Sequence, residues 1–177
     1  MRSSAILSWA IFLFAAGLFA MAVWTRLFPS GTGGAWQDQY IGNEIGVLPL
    51  EDAAGNAVSV SHPALLYFYG PDCRFCPPAQ AEMNALAGRP GVAAPPIYAI
   101  TKAPSLRPYL DTHPFHPGVR TARLKHPTRS LSFVRQVPTI VRTTPDGRVD
   151  RVYVGVPGKE VVEVLRVPRV AGPAARQ

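Results

Sequence analysis

The chain holds two cysteines, Cys73 and Cys76, three residues apart. Cys73-Arg74-Phe75-Cys76 follows a short apolar run and precedes a helix-forming segment. A pair so spaced at a helix start can close a disulfide within one turn. The positive end of a helix favours a thiolate at the first cysteine, and Arg74 adds a cation beside it. This reading makes Cys73 the attacking thiol, exposed at the strand–helix junction. Cys76, tucked behind it, is the resolving thiol. Phe75 offers an apolar contact to a client.

The same spacing is also half of many zinc sites. Two cysteines exclude a four-cysteine zinc site within one chain, and they exclude a disulfide-dense scaffold. Further ligands would have to be histidines. His62, His113, His116 and His126 stand at no metal-ligand spacing from the pair, and His113 and His116 each precede a proline. Those two are read as solvated loop residues, no metal ligand is assigned, and no cofactor is expected. An assembly factor holding copper or zinc through Cys73, Cys76 and a histidine stays open as the alternative. A peroxidase is weaker, because it needs an isolated activated cysteine with Thr and Arg supports that cannot be placed here.

Downstream, Gln136-Val137-Pro138-Thr139-Ile140 puts a proline at a strand start, where sheets tolerate it. A cis Val137–Pro138 bond would leave the Val137 backbone free to pair with an incoming peptide beside the thiols. An ordinary trans bond is the other reading. With the cysteine pair upstream, cis is the expectation, and Val137 and Pro138 are assigned to substrate binding.

These residues need a frame. Val47–Leu50 and Val58–Val60 read as a hairpin around Asp52-Ala53-Ala54-Gly55-Asn56. Ala64–Tyr69 reads as a buried strand and Gln80–Ala87 as a helix closed by Gly88 and Pro90. Because a residue before proline avoids helical geometry, Pro77-Pro78 places the helix start at Pro77 or Pro78 and Cys76 outside it. That weakens the dipole argument and moves weight to Arg74. Pro96–Thr101 is a strand. Ser105 and Thr128 are expected to cap helices over Leu106–Leu110 and Arg129–Arg135. Pro138–Thr143 and Arg148–Val154 are strands joined by Pro145-Asp146-Gly147, and Gly158–Val167 is a helix. The order is that of an α/β domain with a mixed sheet and a helical insert between its halves.

Apolar residues make up 47% of 177 residues, enough for one packed core. Residues 5–24 carry no charge, and 20 such residues match the roughly 30 Å of a hydrocarbon core. The run is long for a signal peptide, although Ala20-Met21-Ala22 resembles a cleavage site, and it is too uniformly apolar for a half-buried helix. It is read as an uncleaved anchor. The expected layout is an anchor over 1–28, a Gly-rich linker over 29–38, a domain over 39–168 and a frayed tail over 169–177.

Seven of the eighteen Lys and Arg residues fall between Lys102 and Arg135, against Asp111 alone. Such a stretch is ordinarily a solvated surface. The alternatives are an acidic partner or anionic headgroups. Nucleic acid is not expected, because the anchor sends the domain across the membrane and aromatics are sparse there.

Taken together, the chain resembles the membrane-anchored thiol–disulfide oxidoreductases of the TlpA/ResA/DsbE type. Leu65–Cys73 resembles their strand before the cysteine pair. Val137-Pro138-Thr139 resembles their cis-proline site. Pro145–Val149 with Val154-Gly155 resembles their last hairpin, and Leu48–Val58 resembles their lead-in loosely. The resemblance implies an α/β, thioredoxin-like fold, a mixed central sheet flanked by helices, preceded by one transmembrane helix. It also implies a strand and helix inserted mid-chain. The departures are chemical. Asp72 stands where a Trp precedes the first cysteine, and Tyr67 stands where a minimal thioredoxin buries an acid. Ala79 stands where a Glu is common, leaving Glu82 as a candidate proton relay or a solvated helix residue.

The implied activity is exchange of disulfides with protein clients, as a reductant, for example in cytochrome or other envelope-protein maturation. A membrane electron donor would recharge the dithiol. The domain is expected on the periplasmic side of a bacterial-type inner membrane, with residues 5–24 in the bilayer.

Overall fold

The computed structural model describes residues 17–18, 35–89, 94–126 and 128–166. The chain divides into two units, Met1–Thr32 and Gly33–Gln177. In the first, Gly17 and Leu18 are described, and both are helical. The rest of the anchor expected over residues 5–24, and the tail 169–177, lie outside the described residues. Among the described residues no helix is long and apolar enough to cross a membrane.

The second unit opens with α1 (Ala35–Asp38), the last four residues of the expected linker. A short hairpin follows, β1 (Leu50–Glu51) and β2 (Ala57–Val58). Asp52 makes its turn, accepting backbone N–H bonds from Ala54 and Asn56 at 2.8 and 2.9 Å. Then come β3 (Leu65–Tyr69), α2 (Cys76–Ala87), β4 (Ile97–Thr101) and α3 (Arg107–Thr112). The chain continues through β5 (Val119–Leu124), a 3-10 turn over Arg129–Leu131, β6 (Thr139–Thr143), β7 (Val149–Val154) and α4 (Lys159–Arg166).

The strands form one sheet in the order β2-β1-β5-β4-β3-β6-β7. β3 runs parallel to β4 and antiparallel to β6. All five residues of β3 are buried, as a central strand covered on both faces requires. Its side chains alternate between two cores. Leu65, Tyr67 and Tyr69 pack with Met83 and Leu86 of α2, Tyr109 of α3 and Leu165 of α4. Leu66 and Phe68 face Leu48, Ile100, Leu131 and Phe133 on the other side. That second face is covered by the lead-in to β1 and by the 3-10 turn, so the long helices fall on one side of the sheet.

The middle of the chain differs from its sequence reading. The insert between Lys102 and Arg135 is not wholly helical: it holds α3 and β5, the helix and strand that the resemblance implied, with β5 lying between β1 and β4. Thr128 precedes a three-residue 3-10 turn instead of a helix reaching Arg135, and its hydroxyl makes no cap bond. The residue before α3 is Leu106, not Ser105, and it too lacks a side-chain cap. Pro108 in the first turn offsets this, since it brings no N–H that needs a cap.

Several cations of the insert are engaged by the fold. Arg123 and Lys125 both form ion pairs with the Glu51 carboxylate, tying the hairpin to β5. These bonds, Arg123 first, hold Glu51 below the usual carboxylate range. Arg120 lies over the Tyr98 ring and donates to its hydroxyl at 3.1 Å. His113 and His116 are loop residues, as read, and half-buried. The His113 ring stacks on Tyr109, and the His116 backbone N–H donates to Asn84 Oδ1 at 2.9 Å.

Candidate active site

β3 delivers its carboxyl end between β4 and β6, the switch point where open α/β sheets place their sites. Because β6 is antiparallel, its amino end meets the carboxyl end of β3, with Phe68 opposite Thr139. The chain leaving β3 through Gly70-Pro71-Asp72 therefore arrives beside Val137. Gly70 makes the approach close: a Cβ there would come within 3.3 Å of Val137 Cγ2 and press that methyl aside.

Cys73 and Cys76 are joined in a disulfide with their Cα atoms 5.3 Å apart. Two backbone turns shape the segment. The Cys73 N–H donates to the Gly70 carbonyl at 3.2 Å, and the Cys76 N–H to the Cys73 carbonyl at 3.0 Å. The two sulfurs differ in exposure: Cys73 is half-buried at the surface, and Cys76 has no exposed area.

Cys76 is the first residue of α2, with Phe75 before it as N-cap. This corrects the expectation that the helix begins at Pro77 or Pro78. Both prolines fit the first turn, where their missing N–H groups cost nothing. The Cys76 carbonyl is held by the Tyr67 hydroxyl, which donates to it at 2.8 Å. The helix start thus lies three residues from Cys73.

Cys73 Sγ lies 3.4 Å from the Val137 carbonyl oxygen. A disulfide sulfur carries no hydrogen, so this is a contact in the oxidised form. After reduction a thiol could donate across it. The Val137–Pro138 peptide bond is cis, and a second cis bond joins His62 to Pro63, which the sequence reading did not anticipate. Pro138 is buried, and Val137 is 40% exposed at the rim.

Arg74 and Phe75 are both exposed. The Arg74 guanidinium lies over the Phe75 ring, 4.6 Å from its centre. Glu82 is half-buried on α2, six residues past Cys76, about 9 Å along the axis. It lies off the buried stripe of Cys76, Ala79, Gln80, Met83 and Leu86. Among the described residues no group of three His, Cys, Asp or Glu side chains could hold a metal ion.

Beneath the cysteines is an aromatic cluster that the sequence reading missed. Tyr67, Tyr69, Tyr109 and Phe115 meet with ring centres between 4.7 and 6.4 Å apart. Burial first, and then the neighbouring tyrosines, push the Tyr67 hydroxyl far above its ordinary ionisation. Gln80 locks the cluster to the loop before β5. It accepts from the Tyr109 hydroxyl at 2.8 Å and donates to the carbonyls of His113 and Pro114.

No protein-family model and no curated protein matches the chain. Solved structures do. A thio-disulfide isomerase from Thermus thermophilus is 22% identical, over 70% of this chain and 92% of its own, with a TM-score of 0.51. The fold is that of thioredoxin. A thiol:disulfide interchange protein from Bacteroides sp. is 13% identical over 71% of this chain and 87% of its own, with a TM-score of 0.55. A peroxiredoxin-like protein from Aquifex aeolicus reaches the same TM-score at 10% identity, over 71% and 85%. A thioredoxin fold therefore carries more than one chemistry, and function has to be argued from the cysteines.

Proposed function

We propose that the chain is a thiol–disulfide oxidoreductase that reduces disulfides in protein clients. One observation carries the reading: of two bonded cysteines at a helix start, Cys73 reaches the surface beside the Val137 backbone and Cys76 is sealed beneath it.

The steps follow from that asymmetry. The Cys73 thiolate attacks one sulfur of a client disulfide. A Cys73–client bond forms, the client bond breaks, and the departing client thiolate takes a proton. Cys76, deprotonated, then attacks Cys73 Sγ. The mixed disulfide breaks, the second client thiol leaves, and the Cys73–Cys76 bond closes. Two electrons have passed to the client. A client segment lying extended along Val137 would bring its cysteine to Cys73. The helix start and Arg74 would stabilise the Cys73 thiolate and so make it the attacker. Because a stabilised reduced form raises the reduction potential, the reductant direction rests on a membrane donor that keeps the dithiol reduced.

The proposal extends to place. Residues 5–24 hold the domain on the extracytoplasmic side of the membrane, where clients acquire disulfides, and a membrane electron donor restores the dithiol. Maturation of cytochromes or other envelope proteins is the setting that fits. A solved relative of peroxiredoxin type does not redirect the reading, because that chemistry does not need a buried second cysteine three residues on.

The test combines activity and trapping. Cys73→Ser should abolish reduction of a peptide disulfide, and retained turnover would sink the assignment. Acid trapping in intact cells followed by mass-tag alkylation should find both thiols free. A steady-state Cys73–Cys76 disulfide would overturn the reductant direction. Thiols that react only after chelation would favour metal binding instead.

A further inference from the structure

A crevice of about 420 Å³ opens beside the disulfide, between the carboxyl ends of β3 and β4 and the loop before β6. Its apolar wall includes Phe68, Tyr69 and Ile100, and Val137 belongs to it as well as to the surroundings of Cys73. Two exposed cations line it, Lys102 and Arg135. Lys102 Nζ reaches across to the Val134 carbonyl at 3.2 Å, so its charge is fixed at the crevice. Among the described residues neither cation is in an ion pair. Arg123 and Lys125 are matched by Glu51, and Arg120 is spent on Tyr98. Lys102 and Arg135 line the crevice, with Asp72 as the acid on its lining, whereas Arg107 and Arg129, also outside any ion pair among the described residues, do not.

We infer that this crevice receives the client segment flanking the reacting cysteine and selects acidic side chains there. The inference rests on the exchange reading of Cys73. An extended segment advances about 3.3 Å per residue, so a chain aligned with Val137 puts residues two or three from its cysteine over the crevice. A Glu or Asp at that distance pairs with Lys102 or Arg135. A Lys there meets two cations against Asp72 alone and is disfavoured relative to a Glu. The charge also speeds encounter, since a basic cleft raises the local concentration of an acidic peptide.

The experiment uses the full-length chain, reduced, in neutral detergent. The probes are nonapeptides whose central cysteine is disulfide-bonded to thionitrobenzoate, with Glu, Gln or Lys two and three residues from it. Cys73 attacks the peptide sulfur, a Cys73–peptide bond forms, and the released thionitrobenzoate anion is read by its absorbance. At low ionic strength the Glu peptide is expected to react about tenfold faster than the Lys peptide. High salt should bring that ratio close to one. The double variant Lys102→Glu/Arg135→Glu should invert it. Because each ratio compares two peptides on one protein, a general change in thiol reactivity cancels. A wild-type ratio below about threefold, or a preference the double variant leaves in place, overturns the inference. Failure of the exchange reading looks different: wild type would then release no more thionitrobenzoate than Cys73→Ser from any peptide.

Discussion

The Tyr67 hydroxyl donates to the carbonyl oxygen of Cys76, nine residues along the chain, at 2.8 Å. This strand position is where the resemblance to thioredoxins calls for a buried acid. An acid there could take the resolving cysteine's proton. A fully buried tyrosine among aromatic rings cannot, because its ionisation is pushed far above the working range. Tyr67 is instead a fixed neutral donor that pins the first residue of α2. The deprotonation of Cys76 is then left to solvent, the departing client thiolate or the candidate relay Glu82.

Tyr67→Phe separates these roles. The loss of one buried hydrogen bond should cost about 1 kcal/mol, read by urea unfolding. The pH profile of Cys73 alkylation should keep its shape between about pH 5 and 9, since no ionisation has been removed. A wild-type profile with a second ionisation that vanishes in Tyr67→Phe would show that the hydroxyl titrates after all.

The unequal burial of the two cysteines should appear directly in the reduced protein. Brief treatment with iodoacetamide, followed by peptide mapping, should label Cys73 at least about tenfold faster than Cys76. Cys76 has no exposed area, and its side chain packs in the core with Ala79 and Met83. Equal labelling would remove the basis for calling one thiol the attacker.

The parts of this site that were legible in the sequence are those whose chemistry is written in the residue type. Cys73, Cys76 and Pro138 announce themselves, and the turns at Asp52 and Asp146-Gly147 fixed both hairpins. What was not legible depends on which distant segments meet. Glu51 and Arg123 are 72 residues apart, so the insert's charge could not be divided in advance into matched and free cations. The sorting of Lys102 and Arg135 to the crevice is visible only once β3, β4 and β6 are neighbours. The resemblance implied a strand in the insert, but its residues were not placed, because Arg120 and Arg123 break the apolar pattern of β5. Its burial alternates imperfectly, and both arginines find partners on adjoining strands. Tyr67 read as one more apolar strand residue because its hydroxyl partner lies on a different element.

A buried ion pair fixes the far side of the domain. Arg142 on β6 pairs with Asp150 on β7, and both side chains are almost fully enclosed. Arg142 Nη1 also donates to the Val164 carbonyl at 2.6 Å, satisfying the last turn of α4. Asp150→Ala removes this carboxylate from a buried guanidinium and should cost about 3 kcal/mol in unfolding free energy. Replacing both partners, Arg142→Met with Asp150→Leu, should recover much of that loss, because the pair's desolvation is no longer needed. A loss below about 1 kcal/mol for Asp150→Ala would show that the guanidinium finds solvent or another partner.

His62 provides a pH-dependent contribution to stability whose sign can be worked out. Its Nδ1 shares a 2.7 Å hydrogen bond with Thr143 Oγ1, and the ring sits against Gly147. Partial burial lowers its ionisation below the ordinary 6.5, opposed in part by Asp146. His62, Glu44 and Lys125 line a second crevice, separate from the one beside the disulfide. The unfolded chain therefore takes up its proton at a higher pH than the folded one. As pH falls through the ordinary histidine value, the unfolded state gains first and stability drops. The loss levels off once the pH is below the folded-state value as well. Urea unfolding from about pH 7.5 down to 5 should show this fall in the wild type. His62→Gln should flatten it while leaving the exchange rate at Cys73 unaltered. An unchanged slope in His62→Gln would assign the pH dependence to another group.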